Sequence, residues 1–325
     1  MKRRSFEELK SVLIGAVETE ILEDGLHARK CTQKQIAAWN AEHPSLGGTA
    51  RATTGIRLDF LTDSKRMRFA FSSGKKVELL IDGLLREQFD MDAYRAKGEA
   101  AEVVLTNSRK DVADEYHITL TFPSHDDPGV LEFLELDDGA YIKPCAYDCK
   151  MLMIGDSITQ GWASEYDSHS YAYRVSRFFN ANSIIQGVGG GKYLASTMDQ
   201  IPFDPDIVTV AFGTNDGLTK PLDFFCENAK AVLDFLAEEY RGKKIFVISP
   251  IWRGHSDGRT MEEFFVAYRA WLEAHVRERA DMTLIEGLTL LPPLPLYYRD
   301  TYLHPNDLGF AVYAENLIAQ LQKHL

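Results

Sequence analysis

From Met151 to the C-terminus, five short and largely apolar runs alternate with long amphipathic segments. The runs are Met151 to Ile154, Ser183 to Ile185, Ile207 to Phe212, Ile245 to Ile248 and Thr283 to Ile285. A strand that is apolar on successive residues buries both its faces, which a parallel sheet covered by helices requires. Between the runs, helical spacing predicts helices over Tyr171–Phe179, Leu222–Tyr240, Met261–Ala280 and Pro305–Leu321. Strand and helix in alternation predict a three-layer α/β domain around a parallel sheet.

The preceding half follows a different pattern. Ser5 to Glu23 carries Phe6, Leu9, Val12, Leu13 and Val17 at helical spacing, which predicts an amphipathic N-terminal helix, and a second helix is expected over Gln33–Trp39. From Gly55 the period becomes two: Ile56, Leu58, Phe60; Met67, Phe69, Phe71; Val77, Leu79, Ile81; then Tyr116–Phe122 and Val130–Leu136. Turn signals separate these runs at Ser73-Gly74, Asp82-Gly83 and Asp126-Asp127-Pro128-Gly129. The first part therefore reads as an antiparallel β-sandwich, jelly-roll-like, with the boundary near Tyr147: a sandwich domain over 1–147 with a leading helical segment, and the α/β domain over 148–325. The 325 residues suit two domains at roughly 150 residues each.

Composition removes several function classes. With 36 Lys+Arg against 48 Asp+Glu, the formal charge of −12 repels phosphate backbones and anionic lipid, so neither nucleic acid nor membrane is an expected partner. No apolar run approaches the ~20 residues of a membrane span. The basic start Met1-Lys2-Arg3-Arg4 is followed by Glu7, Glu8 and Lys10, not by a signal-peptide core, and the expected location is cytoplasmic. Cys31, Cys145, Cys149 and Cys226 show no C-x-x-C spacing, which predicts reduced thiols in place of a zinc site or a disulfide framework. The oligomeric state is not readable.

In a parallel α/β sheet, ligands collect at the carboxyl ends of the strands. The first run ends in Gly155-Asp156-Ser157-Ile158-Thr159, the second in Gly187-Val188-Gly189-Gly190-Gly191, and the third in Gly213-Thr214-Asn215-Asp216; His304-Pro305-Asn306 precedes the last helix. A serine hydroxyl needs a base to take its proton, and a histidine titrating near 6.5 suits that task. Ser157 and His304 fit those roles. A tetrahedral oxyanion needs fixed donors, which the Ser157 and Gly190 N–H groups and the Asn215 amide offer. The set suits acyl transfer and contains nothing built for metal or phosphate.

These four blocks, in this order, resemble the SGNH (GDSL) hydrolase superfamily from about Met151 to the C-terminus. The resemblance implies a flavodoxin-like α/β/α sandwich with no metal or organic cofactor, Ser157 as nucleophile, Gly190 and Asn215 as oxyanion donors, and His304 as base. Gly190 follows from matching Gly187-Val188-Gly189-Gly190 to the family's G-x-S-G, with Gly189 as the alternative. The family shows D-x-x-H, whereas Thr301 stands three before His304 and Asp300 four before. Asp300 completes the triad if the loop carries an extra residue; otherwise a backbone carbonyl orients the imidazole. The sandwich-first arrangement, Val77-Glu78-Leu79-Leu80-Ile81-Asp82-Gly83 and the run through Gly161 are similar to carbohydrate esterase family two, whose members remove O-acetyl groups from sugars.

The expectation is thus a serine esterase acting on short-chain acyl esters of small molecules or oligosaccharides. Its alternatives are a lysophospholipase or thioesterase of the same superfamily, and an inactive carbohydrate-binding protein. Trp162 and Trp252 are candidate sugar-stacking faces as well as candidate packing residues. Asp156 reads as a loop brace and Asp216 as a structural companion. His169 and His255 are loop residues that could line a cleft, Arg253 is either a substrate contact or a surface ion pair, and Pro292–Pro295 a cleft wall or a stiff connector.

Overall fold

The computed structural model describes residues 1–106, 115–124, 128–258 and 261–325. The chain forms two compact units, one made of Met1–Cys31 and Arg51–Tyr147, the other of Thr32–Ala50 and Asp148–Leu325.

The first unit holds two antiparallel sheets. In one, Glu18–Leu22, Gly25–Arg29, Val130–Leu136, Arg66–Ser73 and Ala101–Val104 lie side by side, with Lys2–Arg3 added against Val130–Leu136. The other runs Lys143–Pro144, Arg57–Thr62, Tyr116–Thr121, Lys76–Ile81 and Leu84–Asp90, with Leu13–Ile14 against Arg57–Thr62. The alternating residues Leu58, Phe60, Ile118 and Leu120 of one sheet share a buried core with Met67, Phe69, Phe71 and Leu134 of the other, the β-sandwich that the period-two pattern predicts.

The N-terminal segment differs from expectation. Ser5 caps a helix by accepting the Glu8 N–H, but this helix covers only Phe6–Lys10 and does not run on to Glu23. Leu13 and Ile14 pair with Leu58 and Arg57, and Glu18–Leu22 folds back on Gly25–Arg29 as a hairpin. Gly15, at φ +89°, lies where a Cβ would come within 2.5 Å of the Gly55 carbonyl oxygen. Helical spacing in a segment rich in β-branched residues lost to strand partners, one of them remote in sequence and the other the adjoining arm of a hairpin. Of the expected Asp126-Asp127-Pro128-Gly129 turn, the two aspartates lie outside the described residues.

The second unit is a five-stranded parallel sheet flanked by helices. In chain order its strands are β1 (Cys149–Gly155), β2 (Ala181–Gly187), β3 (Ile207–Ala211), β4 (Lys244–Ile248) and β5 (Met282–Ile285). They lie in the order β2-β1-β3-β4-β5, the flavodoxin-like arrangement, whose switch point lies at the carboxyl end of β1. Met151 to Gly155 are all buried, as a central strand covered on both faces must be. The helices Tyr171–Phe178, Leu222–Glu239, Glu262–Arg277 and Asp307–Leu321 lie within two or three residues of the predicted bounds.

Thr32–Ala50 belongs to this unit, although the sequence reading counts it with the sandwich. Thr32 and Gln35 form a reciprocal capping box at the start of the helix Gln33–Glu42, and Thr32 Oγ1 also donates to Asp199 at 2.7 Å. The buried Gln35 and Gln186 side chains exchange amide hydrogen bonds at 3.2 and 3.1 Å. Glu42 pairs with Lys192 at 3.2 Å and Lys220 at 2.9 Å, and Trp39 packs on Phe212. A short helix over Pro44–Arg51 completes the segment.

Candidate active site

The chain turns sharply at the end of β1. A Cβ on Gly155 would stand 2.0 Å from Thr159 Oγ1, and one on Gly187 at the end of β2 would stand 2.2 Å from the Gln160 nitrogen. Glycine at both strand ends lets the turn sit down on the sheet. Asp156 accepts the Ile158 N–H at 2.9 Å and starts the single helical turn Ser157–Gln160, which Gly161 ends in the left-handed region at φ 82°. Ser157 is thereby the first residue of that turn.

Ser157 Oγ lies 3.1 Å from His304 Nε2, and His304 Nδ1 lies 2.8 Å from Asp300 Oδ2. Asp300 Oδ1 accepts the backbone N–H groups of Tyr302, Leu303 and His304 at 3.1, 2.8 and 3.0 Å. Thr301, at φ 72°, absorbs the additional residue that separates Asp300 from the D-x-x-H spacing. Burial alone would raise the Asp300 carboxyl, but the backbone donors and the imidazole outweigh it and hold it below its ordinary value. His304 is shifted down, first by burial and against the pull of Asp300, with Arg253 adding to the shift. Neutral at pH 7, with its Nδ1 proton held by a carboxylate, the ring presents the Nε2 lone pair to Ser157.

Asn215 follows β3 and donates through Nδ2 to the Gly191 carbonyl at 2.9 Å. Its side chain makes no cap on the following helix Asp216–Thr219. Gly213 at φ 114° and Gly190 at φ 79° use backbone conformations that favour glycine. In the glycine turn Val188 N–H bonds Gly155 O and Gly191 N–H bonds Val188 O, and the Gly190 N–H takes part in neither. A Cβ on Gly190 would meet Leu46 Cδ2 at 2.8 Å, and Thr49 Oγ1 donates to the Gly189 carbonyl at 3.2 Å. The helix Pro44–Arg51 thus covers this turn, a role the sequence did not signal.

Two buried carboxyls stand behind the site. Burial raises Asp156 to about 7, with the Ile158 N–H and Arg253 pulling the other way. Asp216 is likewise raised to about 7 by burial; one oxygen accepts the Tyr193 N–H at 3.1 Å and the other has no partner among the described residues. Arg253 is no surface ion pair. Its guanidinium donates to the Thr214 carbonyl at 2.6 Å and interacts electrostatically with Asp156 and Asp300.

Of the other residues singled out, Trp162 is 37% exposed, whereas Trp252 packs on Tyr298 with ring centroids 5.3 Å apart. His169 binds Asp307 at 2.9 Å, and His255 pairs with Asp257 at 3.0 Å. The segment after Pro292–Pro295 holds the histidine loop, since Asn306 N–H bonds Tyr297 O and Arg299 N–H bonds His304 O. A cavity of about 840 Å³ opens elsewhere, lined by Asp234, Arg241, Lys244, Arg279 and Asp281. It lies by the amino ends of β4 and β5, the opposite end of the sheet from Ser157.

Residues 153–312 match the GDSL-like lipase/acylhydrolase family. No curated protein matches the chain. Among solved structures, a salicylyl-acyltransferase from a tetracycline biosynthetic pathway is similar with a TM-score of 0.76 at 16% identity, over 95% of this chain and 94% of that one. A family two carbohydrate esterase from Clostridium thermocellum is similar with a TM-score of 0.67 at 17% identity, over 96% and 98%. An acetyl xylan esterase from the rumen bacterium Butyrivibrio proteoclasticus follows with 0.57 at 15%, over 83% and 90%. At such identities the likeness speaks to fold, two domains included. No helix among the described residues is long and apolar enough to cross a membrane. The serine turn, the glycine turn, the Asn215 loop and the histidine loop all fall within the family match, which identifies the α/β unit as an SGNH hydrolase domain of the GDSL-like lipase/acylhydrolase type, a carboxylic ester hydrolase by class.

Proposed function

We propose that this enzyme hydrolyses short-chain acyl esters of carbohydrates, O-acetyl groups first among them, through a serine acyl-enzyme. The observation that carries the reading is the unbroken hydrogen-bond chain from Ser157 through His304 to Asp300, at 3.1 and 2.8 Å. In this mechanism Ser157 Oγ attacks the ester carbonyl while His304 Nε2 takes its proton. The oxyanion is met by the Ser157 and Gly190 N–H groups and by the Asn215 amide, which Gly191 holds in place. His304 then protonates the leaving sugar oxygen, and in the second half draws a proton from water to free the acid. Asp300 stays ionised and fixes the ring.

The carbohydrate part of the proposal draws on the likeness to the family two carbohydrate esterase and the acetyl xylan esterase. Trp162, with its ring partly exposed, is the aromatic face proposed to meet the sugar. Hydrolysis of p-nitrophenyl esters from acetate to octanoate, by wild type and by Ser157→Ala, tests the whole. A Ser157-dependent preference for acetate supports it. A rate rising with chain length replaces it with a lysophospholipase or thioesterase, and the absence of Ser157-dependent hydrolysis replaces it with a carbohydrate-binding protein. The likeness to an acyltransferase favours a second reading, transfer of the acyl group to a hydroxyl other than water, which product analysis separates as new ester against free acid.

A further inference from the structure

The register of one sandwich sheet gathers three chemically matched side chains on a single face. The strand Arg57–Thr62 lies between Lys143–Pro144 and Tyr116–Thr121. Leu58, Phe60, Ile118 and Leu120 turn into the core, so Arg57, Asp59, His117 and Thr119 stand on the opposite face. Asp59 pairs with Thr119, which makes His117 its diagonal neighbour, and Pro144 pairs with Phe60, which brings Cys145 next in line to Asp59. One Asp59 oxygen, one His117 ring nitrogen and the Cys145 sulfur thereby all lie within 4.8 Å of one another. Among the described residues, no other three histidine, cysteine or carboxylate side chains converge in this way.

The surroundings fix the carboxylate and leave the other two groups accessible. Tyr147 Oη donates to Asp59 Oδ2 at 2.7 Å, with Arg57 Nε 3.8 Å from the same oxygen, and Thr119 Oγ1 donates to Oδ1 at 2.8 Å. His117 Nε2 lies 2.6 Å from Oδ1. Asp59 is buried, whereas the His117 side chain is 37% exposed and Cys145 is partly exposed, so a small ion reaches the cluster from solvent.

An ionised carboxylate beside a sulfur disfavours a thiolate unless a cation stands between them and takes both as ligands. We infer that Asp59, His117 and Cys145 form a zinc site of the β-sandwich, with water as the fourth ligand. Sulfur and imidazole beside one carboxylate oxygen are a zinc donor set, and they select against magnesium and calcium. The carboxylate and the thiolate cancel the two charges of the ion, so the loaded cluster is neutral beside the Arg57 guanidinium. Arg57 and Tyr147, on the second Asp59 oxygen, hold the ligand from behind. Bonds of about 2.0–2.3 Å at tetrahedral angles place ligand atoms about 3.3–3.6 Å apart, so from 4.8 Å at most the sulfur moves in by no more than about 1.3 Å. Ring and carboxylate open by a smaller amount from their 2.6 Å contact, and the thiol proton leaves to solvent. Zinc there fastens the end of the two-residue strand Lys143–Pro144 to the longer strand beside it. Cysteine spacing does not announce the site, because its three ligands come from three separate segments.

The test uses the full chain, stripped with a chelator, desalted, and titrated with zinc alone and with cobalt(II) alone. One zinc per chain is expected, and cobalt is expected to give a thiolate charge-transfer band in the near ultraviolet together with the visible bands of a four-coordinate site. Cys145→Ser is expected to lose the charge-transfer band. Cys145→Ser and His117→Gln are each expected to weaken zinc binding more than about a hundredfold, beyond the roughly 10–100-fold that outer partners carry. Zinc is expected to raise the unfolding midpoint of the wild type and to leave that of Cys145→Ser unmoved. Hydrolysis of p-nitrophenyl acetate by Cys145→Ser is expected at the wild-type rate, which shows that the variant is folded. Absence of stoichiometric zinc uptake by the wild type overturns the proposal, as does a cobalt complex without the charge-transfer band. Undiminished uptake by folded Cys145→Ser or His117→Gln also overturns it, and leaves Asp59, His117 and Arg57 as an ion-pair network.

Discussion

Replacing Asp300 by asparagine separates what the carboxylate does for the loop from what it does for the base. The Asn side-chain carbonyl can still accept the three backbone N–H groups of Tyr302, Leu303 and His304, so the loop keeps its shape. On the other side an NH2 replaces the oxygen that faces His304 Nδ1 at 2.8 Å. Two donors cannot face each other, so the ring changes tautomer: Nδ1 accepts, and Nε2, now protonated, points its hydrogen at Ser157. A base in that state cannot take the serine proton. The expected loss in kcat is about 10⁴, or about 5.5 kcal/mol of barrier, with an unfolding midpoint close to wild type. Asp300→Ala makes the contrast: it strands three N–H groups at about 1 kcal/mol each, so the protein loses stability as well as rate. The assay is kcat and KM on p-nitrophenyl acetate alongside thermal unfolding. If Asp300→Asn keeps kcat within tenfold of wild type, another group orients the imidazole and the reasoning fails.

Asn215→Ala removes the proposed side-chain donor to the oxyanion and is expected to lower kcat by about 10²–10³, roughly 2.7–4 kcal/mol, with KM little changed; equal kcat would remove Asn215 from the oxyanion site. Leu46→Ala opens space over Gly190, and the ratio of butyrate to acetate kcat/KM is expected to rise, at a stability cost of about 2–5 kcal/mol measured by denaturant unfolding. An unchanged ratio would show that Leu46 does not bound the acyl pocket. Because burial shifts His304 down, the neutral base persists into acid, and the acid limb of kcat/KM is expected below the ordinary imidazole value of about 6.5. The same sign means that protonating this buried ring opposes folding, so its contribution weakens as pH falls below that value. A limb centred above 6.5 would contradict both statements.

The parallel sheet was legible because a strand buried on both faces has little choice of composition; Met151 to Ile154 could hardly be anything else. Ser157, Asn215 and His304 were legible for a different reason, since each ends a strand or precedes a helix in a short local motif. Asp300 was readable as an acid near the histidine, but its reach depends on the left-handed backbone of Thr301, which no composition announces. The N-terminal segment was misread because the spacing of Phe6, Leu9, Val12 and Leu13 satisfies a helix, while Arg57 and Leu58, which claim Leu13 and Ile14 as strand, lie far along the chain. The same holds for Leu46, Glu42 and Gln35, whose partners Gly190, Lys192 and Gln186 come about 150 residues later. Periodicity reports what an element is, and only the fold reports to whom it belongs.

The excursion of Thr32–Ala50 sets an order of events during synthesis. This segment leaves the ribosome before the sandwich strands from Arg57–Thr62 onward and well before Gln186, Gly190 and Lys192 exist for it to bind. At roughly 5–20 residues per second, Ile36, Trp39 and Leu46 wait on the order of ten seconds or more for the surface that buries them. The sandwich must form around a loop whose contents remain unassigned, and the hydrolase unit closes only when its earliest piece meets its latest. Neither unit corresponds to one continuous stretch of message, so a cut after Tyr147 releases an α/β domain without the helix that covers its glycine turn.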